Sequence, residues 1–84
     1  MNKHEKLRLT LLGGVSAANI DFDDLCRMLE HFGFRMRVKS SHHVFTRPGL
    51  QERVTLQPDG RHAKDYQVRQ VRKLLERHRI GETP

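Results

Sequence analysis

Two adjacent histidines, His42 and His43, are the residues of this 84-residue chain best suited to chemistry. They follow two hydroxyl side chains in the run Ser40-Ser41-His42-His43. Imidazole gives and takes a proton near neutral pH more readily than any other side chain. Basic residues precede the pair, and phosphate groups are attracted to such a positive setting. The stretch therefore indicates either acid–base chemistry on a phosphate backbone or a pair of turn histidines with structural hydrogen bonds.

Strand parity separates the two histidines. The strand-like run Val44-Phe45-Thr46 follows them, and adjacent residues of a strand point to opposite faces of a sheet. His43 then shares a face with Phe45, and His42 lies on the other face with Val44. Parity alone leaves open which histidine is exposed to solvent.

Other reactive groups give weaker indications. Cys26 is the single cysteine and lies beside the apolar positions of a predicted helix, as a buried thiol does. The six histidines show no His-x-x-x-His spacing and the chain has no Cys-x-x-Cys pair, so we expect no metal site. No glycine-rich phosphate loop of known pattern occurs, and we expect no cofactor.

The charge of the chain is unevenly distributed. The net charge is +6, but residues 1–34 carry four cations and five anions, whereas residues 35–79 carry twelve cations and four anions. A basic field of this kind attracts nucleic acid, and it equally attracts an acidic protein partner. The apolar runs are shorter than the roughly 18 residues of a membrane span, and a lone cysteine fits a reducing compartment. We therefore expect a cytoplasmic protein with no membrane association.

The hydrophobic pattern predicts two helices. Apolar residues at helical spacing indicate a helix over about 22–32, with Asp21 as its N-cap and Gly33 at its C-terminal end. A basic amphipathic helix is expected over about 64–79. Residues 1–12 fit a strand or a helix equally well, and a short polar connection follows at 16–19.

Between the two helices, alternating apolar and polar residues predict three strands over 34–39, 43–46 and 52–57. In the first of them Phe34, Met36 and Val38 are expected to face the core. Two helices on one face of a three-stranded antiparallel sheet make an α+β sandwich, here with an N-terminal extension.

These residues together resemble the HicA toxin family. Ser-Ser-His-His-Val-Phe at 40–45 is similar to the family's Gly-Ser-His-His-x-Phe motif and lies, as it does there, between the first two strands. Residues 19–34 resemble the family's first helix, and residues 56–72 resemble its third strand and last helix. The likeness covers roughly residues 19–80, so we divide the chain into an extension, 1–18, and a HicA-like domain, 19–84.

The resemblance implies a double-stranded-RNA-binding-like α-β-β-β-α fold and a small ribonuclease that cleaves mRNA, needs no metal and is held inactive by a HicB antitoxin. The family's catalytic histidine corresponds to His42. The family's motif glycine is Ser40 here, and a positive φ at this position would strain a serine. The residues expected to hold RNA are Arg35, Arg37, Lys39, Ser41, His43, Lys64, Arg69 and Arg72.

Two further functions stay open on the sequence alone. One is a non-catalytic RNA-binding module of the same fold. The other is a protein-interaction module whose basic face receives an acidic partner.

Overall fold

The computed structural model describes residues 1–14 and 19–82. Its elements are α1 (Lys3–Leu12), α2 (Phe22–His31), β1 (Arg35–Lys39), β2 (His42–Arg47), β3 (Leu50–Leu56), β4 (Pro58–Asp59), β5 (His62–Ala63) and α3 (Asp65–Arg77). The first three strands form an antiparallel sheet in the order β1-β2-β3, and β4 pairs with β5. The predicted α+β fold is confirmed, with the N-terminal segment adding a helix. The predicted domain boundary after residue 18, and most of the predicted connection at 16–19, lie outside the described residues.

Local sequence signals begin and end α2. The Asp21 carboxylate accepts a hydrogen bond from the backbone N–H of Asp24 at 3.0 Å, which confirms the predicted N-cap. Phe32 caps the other end, and Gly33 follows it with a φ of +97°. Glycine adopts this left-handed conformation without the steric cost of a Cβ. The helix therefore starts and stops where the capping residues predict.

The hydrophobic core lies between the sheet and the helices. Burying apolar side chains between two layers is the main favourable term in folding a domain of this size. The side chains with almost no exposed surface are Leu25, Met28, Leu29, Phe45, Val54, Leu56, Val71, Leu74, Leu75 and Ile80.

Helix α1 packs on both other helices and belongs to this core. Leu11 is buried, and Leu7 and Leu12 are partly buried against the same cluster. The Arg8 Nε donates to the carbonyl oxygen of Ile80 at 2.7 Å, which joins α1 to the segment after α3. Of the two conformations that the sequence allowed for residues 1–12, the helix is the one adopted.

The prediction of a buried apolar face on the first strand is correct for Phe34, which directly precedes β1, and wrong for Met36 and Val38. Phe34 is 3% exposed, but Met36 is 37% and Val38 is 51% exposed. β1 is an outer strand of the sheet, whereas β2 and β3 supply the buried strand residues. The helical layer therefore leaves the far margin of the sheet uncovered, and the side chains there remain in solvent although they alternate correctly.

An ion pair fixes the C-terminal end of α3 to β3. Arg77 Nη1 donates to both carboxylate oxygens of Glu52 at 2.7 Å, and His78 Nε2 lies 2.8 Å from Glu52 Oε1. The hydrogen bonds from Arg77 and then His78 hold the pKa of Glu52 below its ordinary value.

The short β4–β5 ribbon, which the sequence indicated only as a turn at 58–60, ties the connection after β3 to the start of α2. The Ala63 N–H donates to the Ile20 carbonyl at 2.8 Å, and the Phe22 N–H donates to the Arg61 carbonyl at 2.9 Å.

None of the helices in the described part of the chain is long and apolar enough to cross a membrane.

Candidate active site

His42 is the first residue of β2 and directly follows the two-residue loop Ser40-Ser41. Its register partner is Lys39, and Arg37 pairs with Val44 in the same ladder. Residues directly opposite in an antiparallel pair share a face, so His42 lies with Lys39 and Arg37 on the side of the sheet away from the helices. We call this side the open face. His42 is exposed there, as the predicted catalytic histidine must be.

The loop before His42 has an unusual backbone at Ser40. Ser40 has a φ of +59°, in the left-handed region that favours glycine. A positive φ at the first residue of a two-residue hairpin loop is where glycine is preferred. This chain therefore adopts, with a serine, a conformation that favours glycine, the residue that the motif has at this position.

Gln57 is the side chain that holds His42, and sequence reasoning missed it. Its Nε2 lies 3.0 Å from Nε2 of His42 and donates to Oγ of Ser41 at 3.2 Å. Gln57 follows the last residue of β3, and the pairing of His43 with Leu56 brings it beside His42. Only knowledge of that register could have indicated the contact, because 15 residues separate the two in the sequence.

His43 lies on the opposite face and meets the core. Its ring packs edge-on against Phe22, with the ring centroids 4.9 Å apart, and it is half-buried. Its Nδ1 donates to the carbonyl oxygen of Ser41 at 3.3 Å. Of the residues expected to hold RNA, His43 is thus placed against α2 and away from the open face.

The cations of the open face form a concave basic surface. It is lined by Arg35, Arg37 and Arg53, with Val44 and Thr46 between them and Met36 at its margin. Arg53, which sequence reasoning did not single out, belongs here because it lies two positions before Thr55, the partner of Val44. Arg35, Arg37 and Lys39, all expected to hold RNA, share this face with His42.

The remaining residues expected to hold RNA lie on α3 and its N-cap. Lys64 is the N-cap and Arg69 is exposed on the helix. The Arg72 Nε lies 3.5 Å from Oε1 of Glu76. The other end of the Arg72 guanidinium, Nη1, lies beside Gly14, just after α1. The structure thus divides the expected set, with Arg35, Arg37 and Lys39 on the open face, Ser41 in the loop before His42, and the α3 group in the helical layer.

The other reactive groups have structural environments. Cys26 is buried, and burial raises the pKa of its thiol to about 12, so it stays protonated at neutral pH, as predicted for an unreactive thiol. Within residues 1–14 and 19–82, no group of three or more His, Cys, Asp and Glu side chains is placed to hold a metal ion.

Comparison with known proteins gives a match to a protein family. A family model described as the HicA toxin of bacterial toxin–antitoxin systems matches residues 22–77, from the start of α2 to the end of α3. The chain belongs to the HicA toxin family. The match contains the Ser40–His43 loop, β3 and Gln57, whereas α1 lies outside it. No match was found among curated proteins or among solved structures.

Membership in the HicA family makes this chain a toxin of the toxin–antitoxin type, for which an antitoxin is the expected kind of partner. The sheet with α2 and α3 on one side is the double-stranded-RNA-binding-like fold that the resemblance implied.

Proposed function

We propose that this HicA-family protein is an endoribonuclease that cleaves mRNA with His42 as its catalytic residue. The observation that carries the proposal is the position of His42. Its exposed imidazole stands at the end of the first hairpin, on the basic open face, inside the region that matches the family. An mRNA substrate places this activity in the cytoplasm.

The proposed reaction uses the ribose next to the cut. Its 2′-oxygen forms a bond to the adjacent phosphorus and gives up a proton, while the bond to the 5′-oxygen breaks and that oxygen takes up a proton. His42 performs one of these proton transfers, and no metal ion is required. Lys39 is the ladder partner of His42 and Arg37 is two residues away, so their charges can offset the negative charge of the transition state.

The same face supports a proposal for the antitoxin. We infer that a HicB-like antitoxin neutralises the chain by covering the open face with acidic side chains. Arg35, Arg37, Lys39 and Arg53 are exposed there, and potentials of opposite sign steer and orient a protein partner. A partner seated on these cations would compete directly with RNA.

The decisive experiment measures cleavage of a defined RNA by purified protein in the presence of EDTA. We expect cleavage by the wild-type chain. The rate for His42→Ala should be lower by a factor of about 100 or more, since general acid–base groups contribute 10²–10⁴-fold. His4→Ala, on α1, is the matched histidine control and should cleave at the wild-type rate.

Two results would contradict the ribonuclease proposal. A folded His42→Ala protein that cleaves at the wild-type rate removes His42 from the chemistry. Salt-dependent RNA binding with no cleavage, even when divalent ions are supplied, identifies instead the non-catalytic RNA-binding module. The left-handed Ser40 beside His42 is the observation that favours this second candidate, because the strained residue adjoins the catalytic position.

A further inference from the structure

We propose that Gln57, anchored by the buried Gln67, is a positioning residue. It holds the imidazole of His42 at the ring nitrogen Nε2, so that the other ring nitrogen, Nδ1, faces the RNA. This inference rests on the proposed ribonuclease function. It concerns two glutamines that neither the histidine motif nor the charge pattern indicates.

Gln57 contacts two consecutive residues at the end of the first hairpin, Ser41 and His42. Its carboxamide nitrogen lies 3.0 Å from Nε2 of His42 and 3.2 Å from Oγ of Ser41. Both distances are those of ordinary hydrogen bonds. One side chain from β3 thus fixes both the ring of His42 and the hydroxyl that precedes it.

Gln67 keeps Gln57 in place. It is 3% exposed and is the only polar residue among the buried ones of the described chain. In the carboxamide orientation that matches donors with acceptors, its Nε2 donates to the Gln57 carbonyl at 2.8 Å and its Oε1 accepts from the Gln57 N–H at 3.0 Å. A buried polar side chain is costly unless paired, and here both of its groups hold one backbone position. A continuous chain of contacts therefore runs from the core side of α3 through Gln57 to His42.

The contact of Gln57 with Nε2 determines which ring nitrogen of His42 faces the RNA. As oriented, the Gln57 nitrogen can only donate, so Nε2 of His42 accepts and the proton of the neutral ring is on Nδ1. Nδ1 has no hydrogen-bond partner among the described residues. In this tautomer Nδ1 carries the proton and has no lone pair, so it can only donate. When His42 is protonated, Nδ1–H gives its proton to the departing 5′-oxygen, and the neutral ring that remains keeps its proton on Nε2.

A glutamine suits this position better than a carboxylate. Turning the carboxamide by 180° presents Oε1, which accepts from an Nε2–H, so one side chain can hold the ring in either protonation state. A carboxylate could also orient an imidazole, but it would place a negative charge beside the phosphate of the substrate. The amide orients His42 without that repulsion.

The first test needs no activity and reads the tautomer of His42 from its ring ¹⁵N chemical shifts. We expect neutral His42 in the wild-type chain to carry its proton on Nδ1, and Gln57→Ala to give a mixture of the two tautomers. Gln51→Ala, on the exposed surface of β3, is the matched control and should leave the shifts unchanged. Identical His42 shifts in wild type and Gln57→Ala overturn the proposal, whether or not the chain cleaves RNA.

The second test separates positioning from binding in the cleavage kinetics. Gln57→Ala should lower kcat about tenfold or more with KM little changed, because the ring is misoriented while the cations remain. Gln57→Glu should raise KM, because its charge repels the substrate. Gln67→Met should reproduce the kcat loss, with Gln70→Ala on the exposed side of α3 as its control. A wild-type kcat in folded Gln57→Ala would exclude a positioning role for Gln57. If the wild-type chain itself cleaves no RNA, the ribonuclease proposal is rejected, and the ¹⁵N shifts alone then test whether Gln57 orients His42.

Discussion

At the first hairpin, two neighbouring histidines meet different surroundings because consecutive strand residues face opposite sides of a sheet. His42 is exposed on the open face and contacts Gln57, whereas His43 packs its ring on Phe22. The two imidazoles are therefore not equivalent, since that of His42 lies in solvent and that of His43 contributes to packing. The same parity places Arg37 and Lys39 beside His42 and keeps them away from the core.

A prediction at the residue scale concerns the left-handed Ser40. Ser40→Gly should raise the free energy of unfolding by about 1 kcal/mol, because a left-handed conformation costs a residue with a Cβ roughly 1–2 kcal/mol, partly offset by the greater freedom of glycine when unfolded. Urea unfolding followed by circular dichroism measures the change. Ser40→Ala keeps the strain and should stay within about 0.5 kcal/mol of wild type. A glycine variant no more stable than the alanine variant would contradict the backbone strain at this position.

At the scale of elements, α1 completes the core of a domain whose family match starts only at α2. Leu11 reaches the buried cluster, and Arg8 hydrogen-bonds the Ile80 carbonyl beyond α3. Small domains bury a smaller fraction of their surface on folding and are only marginally stable, so each additional buried side chain matters more to their free energy of unfolding. We therefore regard α1 as a structural part of this domain.

The stability of variants on the two sides of α1 checks this role. Leu11→Ala should lower the free energy of unfolding by about 2–4 kcal/mol, since it removes a buried side chain and leaves a cavity. Leu9→Ala removes the same atoms from a side chain that is 46% exposed and should cost less than about 0.5 kcal/mol. Equal losses for the two variants in urea unfolding would mean that α1 does not pack as described.

Strand β1 shows how position in the sheet controls the use of a strand. It is one of the two outer strands of the order β1-β2-β3, and unlike β3 it places its apolar residues, Met36 and Val38, beyond the cover of the helices. Its other side carries Arg35, Arg37 and Lys39 on the open face. An edge that combines exposed apolar and basic side chains resists pairing with a second copy of itself, because like charges would then lie opposite one another.

At the scale of the whole molecule, the basic half of the sequence becomes two separate basic surfaces. One is the open face of the sheet, where the cations surround a concave surface that leads towards His42. The other is on α3, where Arg72 is already beside Glu76 and the end of α1. We expect the open face to supply most phosphate contacts to bound RNA.

The salt dependence of RNA binding distinguishes these surfaces. Arg53→Gln should reduce the slope of log K against log salt concentration by about 0.7, the value for one phosphate contact of a single strand. Arg27→Gln is the control, because Arg27 pairs with Asp23 and Glu30 on α2, and it should leave the slope unchanged. Binding of labelled RNA at several salt concentrations gives both slopes. A reduced slope for Arg69→Gln but not for Arg53→Gln would place the RNA on α3 instead.

By itself, the sequence determined α2, α3 and the three strands of the sheet within a few residues, the cap at Asp21, the buried Cys26, the parity of the two histidines and the family. These features depend on residue type and spacing along the chain, and local steric and hydrogen-bonding rules act on such spacing. Only the tertiary structure decided that residues 1–12 form a helix, that Met36 and Val38 are exposed, and that Arg53 joins the open face. It also brought Gln67 to Gln57 and Gln57 to His42. These outcomes depend on which strand is at the edge and how the strands are paired, and contacts between residues distant in sequence arise only when the whole chain is folded.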